Sequence, residues 1–191
     1  MDSSFGSEGK SDEAYLQEYK ARLSPKDKSS KKRNMPANVL DTPGLVTWAI
    51  VGDILNQDKP ASNVATAIES QGRILYRISP TIDVSSVSPK QKLYKKLEDI
   101  STDKQIDAIN LCVNYRIGLV TLAEMKKRNI KYCFMQPGAD HDDLIQKAEE
   151  LGIVYQRGCM IISPMCELSE DEKRKAKEIK GVDSGCGCTM S

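Results

Sequence analysis

Short apolar runs alternate with longer amphipathic stretches through the middle of the chain. Brief apolar runs that end at glycine or proline are typical of buried strands. This pattern predicts strands over residues 46–51, 73–78, 106–113 and 130–135. Two further apolar pieces, at residues 153–155 and 160–162, predict the last part of the sheet.

Helical periodicity lies between these predicted strands. Val64, Ala65 and Ile68 share one face of a helix that begins at Ala61 and is closed by Gly72. Further helices are predicted over residues 92–100, 118–127 and 142–151. Strands that alternate with helices form a parallel sheet covered on both faces. We therefore predict an α/β fold with a doubly wound, mostly parallel five-stranded sheet, with any ligand at the carboxyl ends of its strands.

Polar extensions flank this predicted domain, which spans residues 41–166. Residues 1–40 are polar, with a short helix predicted over residues 11–23, and this arm is a candidate surface for a protein partner. Residues 167–191 combine a charged helix, predicted over 171–180, with a cysteine-rich tail.

The charge balance limits the classes of partner. The chain has 191 residues, of which 28 are Lys or Arg and 27 are Asp or Glu, for a net charge of +1. A nucleic-acid partner is not expected, because nucleic-acid-binding proteins carry a clear basic excess. No apolar run approaches the roughly 18 residues of a membrane helix, and no secretory signal opens the sequence. We expect a cytoplasmic protein.

The turn after the first predicted strand is a candidate phosphate-binding site. It contains a single glycine, Gly52, so the further glycines of the dinucleotide fingerprint and of the P-loop are missing. Lys59 stands just before Pro60, which would begin the helix, and a lysine there can reach a phosphate as a point charge. From these residues alone, a plain surface loop is an equally good interpretation.

The order of several short motifs adds to this signal. They are Val51-Gly52, Lys59-Pro60-Ala61, Ser79-Pro80-Thr81, Gln136-Pro137-Gly138-Ala139 and Gly158-Cys159-Met160. In this order they resemble the small stand-alone CoA-binding domain family, Rossmann-like proteins related to the CoA-binding part of succinyl-CoA synthetase. The resemblance runs from about residue 47 to residue 164.

The resemblance implies that coenzyme A, or an acyl-CoA, lies across the point where the strand order reverses. The residues that it implies as ligand contacts are Gly52, Asp53, Ile54, Lys59, Pro60, Ser79, Pro80, Thr81, Asn114, Tyr115, Arg116 and Gln136. Its pyrophosphate would meet Gly52, Asp53 and the helix that follows, with Lys59 nearby. The adenosine 3′-phosphate would lie near Ser79-Pro80-Thr81 and Asn114-Tyr115-Arg116. The resemblance implies no catalytic residue.

Three departures from the family pattern leave an alternative open. Asp53-Ile54 replaces small residues after the glycine, Ser79 replaces an asparagine, and the arginine-rich segment is reduced to Tyr115-Arg116. The predicted function is therefore a coenzyme A-binding module without an evident catalytic constellation. The alternative is a structural or scaffold protein whose Rossmann shell has lost its ligand.

Other reactive residues receive structural interpretations. His141, the single histidine, stands among aspartates at a predicted helix start, where such residues cap the helix, so no metal site is predicted. Cys112 and Cys133 lie in apolar segments and are interpreted as small buried hydrophobic residues.

The C-terminal tail carries a candidate lipidation signal. Cys188-Thr189-Met190-Ser191 fits the Cys-a-a-X pattern, and a terminal serine favours farnesyl. Cys186 is placed for palmitoylation, the second lipid that makes membrane binding stable. The sequence thus predicts attachment to the cytoplasmic face of a membrane. A thiol tail that is oxidised or binds a soft metal is the alternative.

Overall fold

A computed structural model describes residues 38–81, 92–163 and 165–184 of the chain. The helix predicted over residues 11–23 and the lipidation candidates Cys186 and Cys188 lie outside these ranges. No helix in the described ranges combines the length and the apolar character that crossing a bilayer requires.

Six strands form one sheet. They are β1 (Thr47–Gly52), β2 (Ile74–Ile78), β3 (Leu93–Tyr94), β4 (Ala108–Cys112), β5 (Tyr132–Met135) and β6 (Val154–Arg157). Their order is β3-β2-β1-β4-β5-β6, and all five pairs are parallel. The α/β class and the parallel sheet are confirmed, whereas the predicted number of five strands is wrong. The strand order reverses between β1 and β4, where folds of this type bind ligands.

The helices largely follow the predicted pattern. They are α1 (Pro60–Ser70), α2 (Tyr115–Lys127), α3 (Asp142–Leu151) and α4 (Glu170–Ser184). Asn114 caps α2, because its side-chain oxygen accepts a hydrogen bond from the Ile117 amide at 3.2 Å. His141 caps α3 in the same way, so the cap is the histidine itself and the following aspartates fill the first turn.

Two predicted elements are wrong. The helix over residues 92–100 is instead β3 followed by a 3-10 turn over Leu97–Asp99. Leu93, Leu97 and Ile100 have helical spacing, but they are buried one after another along an irregular path. The strand-like piece at 160–162 is a tight turn, which the Ile162 amide closes by donating to the Cys159 carbonyl at 3.2 Å.

Side chains of β1 alternate between two buried clusters, one on each face of the sheet. Ala49 and Val51 belong to the cluster that includes residues of α2 and α3. Trp48 and Ile50 belong to the cluster that includes residues of α1. All six positions of β1 are therefore buried, as expected of a central parallel strand. The edge strand β6 is only partly buried.

A buried arginine fastens the segment before α4 to the amino edge of the sheet. Arg73 is 2% exposed, and its guanidinium donates hydrogen bonds to the Leu45 carbonyl at 3.2 Å and the Cys166 carbonyl at 2.7 Å. Burial lowers the pKa of Arg73. Glu172 adds a second attachment, because its carboxylate accepts hydrogen bonds from the Gly44 and Ser169 amides. The last helix is thus held by one hydrogen bond from Arg73 to the segment before it and by another from the Gly44 amide to Glu172 within it.

The buried carboxyl of Glu124 on α2 gives a pH prediction. Burial, followed by the charge of Glu98, raises its pKa, so the folded state holds this proton more tightly than the unfolded chain does. We expect the free energy of unfolding to fall as pH rises from below the ordinary glutamate pKa to above the folded value. Glu124→Gln should remove this fall, as measured by urea unfolding between pH 4 and about 7.

Glu150→Gln is the matched control. The pKa of Glu150 is lowered, chiefly by the Lys147 side-chain hydrogen bond, so its contribution to stability is present at neutral pH and is lost as pH falls through the folded value. The two variants should therefore alter the pH profile in opposite directions. The same change in both would contradict the assignment.

Candidate functional site

Four residues form a row across the carboxyl edge of the sheet. Gly52 pairs with Cys112, and the registers of β1 with β2 and of β4 with β5 continue to Ser79 and Gln136. Neighbouring strands lie about 4.8 Å apart, so the row spans about 14 Å from Ser79 to Gln136. The switch point between β1 and β4 falls inside this row.

At Gly52 the backbone of β1 lies very close to both α1 and β4. A Cβ atom at this position would lie 2.7 Å from Cβ of Ala61 and 3.0 Å from Cβ of Cys112. The first turn of α1 therefore packs directly on the end of β1. Gly52 is buried, and its lack of a side chain is what lets the N-terminus of α1 lie beside the end of β1.

In the loop from β1 to α1, some side chains are buried in the core and others are exposed to solvent. Ile54 is 6% exposed and packs in the α1-side cluster, so it does not project from the loop, while Asp53 is half-buried. The loop is shaped locally, because the Lys59 amide donates to the Asn56 carbonyl at 3.0 Å. Lys59 is exposed at the N-cap of α1, and no side chain caps this helix.

Two buried polar atoms at the ends of the row have no hydrogen-bond partner. They are Oγ of Ser79 and Nε2 of Gln136, and within the described part of the chain they are the two such side-chain atoms. Ser79 is fully buried and Gln136 is 3% exposed. Each unmade bond costs about 1–3 kcal/mol, which a ligand atom could recover.

A network of weak hydrogen bonds holds the Gln136 amide in place. Its Oε1 accepts from the Met160 amide at 3.3 Å, and Asn110 donates from Nδ2 to Sδ of Met160 at 3.4 Å. The Cys112 thiol donates to Oδ1 of Asn110 at 3.3 Å. The turn after β6 is thereby fixed over the ends of β4 and β5.

The segment after Gln136 is a tight turn of defined type. Gly138 has φ of +86°, and the Ala139 amide donates to the Gln136 carbonyl at 2.9 Å. Proline at the second position and glycine with positive φ at the third are typical of a type II turn. Asp140 then pairs with Arg157 at 2.8 Å, so the charge of Arg157 is already matched.

An aromatic stack stands on the opposite face from α1. The Tyr115 ring lies 4.4 Å from the His141 ring at an interplanar angle of 21°, which joins the N-termini of α2 and α3. The exposed Arg116 guanidinium lies 5.9 Å from the Tyr115 ring centroid. An exposed cation next to a ring is a suitable contact for a nucleotide phosphate and base.

The thiols of the sheet are poor nucleophiles. Burial raises the pKa of Cys112 and of Cys133, and the neighbouring Cys159 raises that of Cys112 further. A thiol that is held protonated cannot attack at neutral pH. Cys133 is buried, as the sequence predicts, whereas Cys112 is only partly buried.

The predicted contacts are thus only partly brought together. Gly52, Ser79 and Gln136 share the row, Lys59 and Pro60 begin α1 beside it, and Asn114, Tyr115 and Arg116 open α2 after β4. Thr81 is exposed past the end of β2. Sequence reasoning missed Asn110, whose signal is a single amide within an otherwise apolar strand.

Three cavities lie away from the row. One of about 740 Å³ lies below the amino ends of β4 and β5, and one of about 730 Å³ lies between Arg73 and α4. A third, of about 370 Å³, lies between α1 and the loop that carries Ile54, with Arg77 in its wall. The charge of Arg77 is matched by Glu69 at 2.6 Å.

Comparison with known proteins identifies one family. The model of the CoA binding domain family matches residues 46–164, which is more than half of the chain. No curated protein matches the sequence.

Several solved structures share the fold. A hypothetical protein from Pyrococcus horikoshii OT3 aligns with a TM-score of 0.54 and 16% identity, over 93% of this chain and 99% of its own. A conserved hypothetical protein from Pyrococcus furiosus aligns with a TM-score of 0.52 and 23% identity, over 61% of this chain and 97% of its own. Prb, a protein redesigned for binding, aligns with a TM-score of 0.54 and 19% identity, over 62% of this chain and 80% of its own.

Gly52→Ala should destabilise the protein by about 1–3 kcal/mol, because the atoms that its Cβ would meet belong to a short side chain and to the backbone of β4. Gly118→Ala on α2 is the control: its Cβ would meet only the Leu144 methyl groups, at 2.9 and 3.0 Å, and these can rotate away. Alanine also favours the helix by about 1 kcal/mol. The urea midpoint should therefore fall further for Gly52→Ala than for Gly118→Ala. Equal falls in the midpoint would contradict the close contact of Gly52 with Ala61 and Cys112.

Proposed function

The chain belongs to the CoA binding domain family, and we propose that it binds coenzyme A or an acyl-CoA across the carboxyl edge of its sheet. The observation that carries this proposal is the pair of buried, unpartnered groups on Ser79 and Gln136, in one row with Gly52. Buried polar groups without a partner are rare in native proteins, and a ligand that spans the row would satisfy both.

The centre of the row suits the pyrophosphate. Gly52 has no side chain, and Cβ of Ala61 in the first turn of α1 lies 2.7 Å from where a Cβ of residue 52 would be. The amide-rich end of a helix favours negative charge. Lys59, at the N-cap of α1, supplies an exposed cation. Because Ile54 is packed in the core, its contribution to this site would come from its backbone alone.

The nucleotide end would use the residues that follow β2 and β4. Ser79 supplies a hydroxyl group, and Tyr115 with Arg116 supplies a ring and a cation. Arg116 is exposed, so it is available to the 3′-phosphate.

The proposed role is binding, with no reaction assigned. His141, the single histidine of the chain, caps α3 and stacks on Tyr115. Burial keeps the Cys112 thiol protonated, because it raises the pKa. A nucleophile activated by histidine is therefore not part of the proposal.

Thermal unfolding with coenzyme A, NAD and ATP tests the proposal. Coenzyme A should stabilise the protein by about 2.7 kcal/mol at one hundred times its dissociation constant, because it binds only the folded state. NAD should have less effect, because the glycine fingerprint is missing. If none of these ligands at millimolar concentration raises the unfolding temperature, the proposal is wrong and the scaffold alternative is favoured.

Lys59→Ala should weaken binding of coenzyme A about two- to fivefold, since an exposed ion pair contributes up to about 1 kcal/mol. Lys131→Ala removes the same charge at the amino end of β5 and should leave the affinity unchanged. Isothermal titration calorimetry of both variants makes the comparison. Equal affinities would exclude Lys59 as a phosphate contact.

A further inference from the structure

We propose that the Gln136 end of the row holds the acyl part of an acyl-CoA, and that this acyl group is uncharged and apolar. The inference rests on the proposed binding of coenzyme A, and it names the class of thioester that the site takes. It depends on three features of the turn over residues 159–162: its attachment to Gln136, its exposed isoleucines and its lack of charge.

The path from the pyrophosphate to Gln136 follows from the packing on the α1 side. Cys112 lies next to Gly52 in the row and packs on the cluster that contains Ala61 and Met160. The Met160 amide in turn donates to Oε1 of Gln136. A pantetheine arm that leaves the N-terminus of α1 therefore reaches Gln136 over Cys112 and Met160.

The free donor at the end of this path suits a thioester. Oε1 of Gln136 is occupied by the Met160 amide, which leaves the Nε2 hydrogens to point elsewhere, and Nε2 has no partner. A thioester carbonyl is an acceptor, whereas the thiol of free coenzyme A is a weak one. The unmet donor thus favours the acylated form of the ligand.

Two exposed isoleucines directly follow Met160, whose amide is bonded to Gln136. Ile161 is 50% exposed and Ile162 is 57% exposed, although both belong to a turn whose neighbours Cys159 and Met160 are buried. The turn cannot rotate to bury them, because the Met160 amide and Sδ both hold it to the sheet. An apolar acyl chain of a few carbons would cover these side chains.

Negative charge is disfavoured at this end of the site. The described side chains along the path are thiols, a thioether and amides, on Cys112, Cys159, Met160, Asn110 and Gln136. The nearest cation on β6, Arg157, is matched by Asp140 at 2.8 Å. Burial also raises the pKa of Cys112, which reflects the cost of an anion there. The carboxylate of a dicarboxylic acyl group would have no partner.

Butyryl-CoA and succinyl-CoA form a matched pair of probes, because both carry four-carbon acyl groups and differ by a methyl against a carboxylate. In isothermal titration calorimetry, butyryl-CoA should bind about fifteenfold more tightly than free coenzyme A, since each of its two methylenes contributes about fourfold when buried. Succinyl-CoA should bind no more tightly than coenzyme A. Equal affinities for butyryl-CoA and succinyl-CoA would overturn the inference.

The double variant Ile161→Ser, Ile162→Ser changes only exposed side chains, so folding is preserved. It should reduce the affinity for butyryl-CoA severalfold and leave the affinity for coenzyme A unchanged, while the Gln136 donor still favours the thioester. Val120→Ser, at another exposed apolar position on α2, should alter neither affinity. Equal losses for both ligands would overturn the inference but leave coenzyme A binding intact. If the unaltered protein binds no ligand, the proposed function fails with it.

Discussion

The site depends on the contact between the end of β1 and the start of α1. Ala61 stands so close to Gly52 that any side chain at residue 52 would push the helix away. This contact brings the positive end of the α1 dipole to the middle of the sheet edge. It also brings α1 against Cys112, and through the shared cluster against Met160. The glycine at residue 52 thereby allows α1, the ends of β1 and β4 and the turn after β6 to pack together.

The same edge carries the polar groups that the rest of the fold leaves unsatisfied. Elsewhere in the described part of the chain the buried polar side chains are bonded: Arg73 donates to two carbonyls, and Trp48 donates to the Leu45 carbonyl at 2.9 Å. Ser79 and Gln136 lack such partners although they are just as deeply buried. The two unused donors in one row are the feature on which the proposed binding rests.

Much of this architecture follows from local pattern. The strands and α3 were predictable because apolar runs and helical periodicity are local properties that the fold respects. β3 was not predictable, because it has only two residues and because the apolar positions from Leu93 to Ile100 have the spacing of a helix. The turn at Met160 was not predictable, because it is held by a hydrogen bond to the distant Gln136 that the local pattern does not show. Motif order located Gly52, Ser79 and Gln136, but only the registers bring them into one row.

The Arg73 guanidinium joins two segments that lie far apart in the sequence. It holds the entry to β1 and the approach to α4 at the back of the sheet, because Leu45 and Cys166 meet at one guanidinium. Replacing Arg73 would therefore free both segments at once.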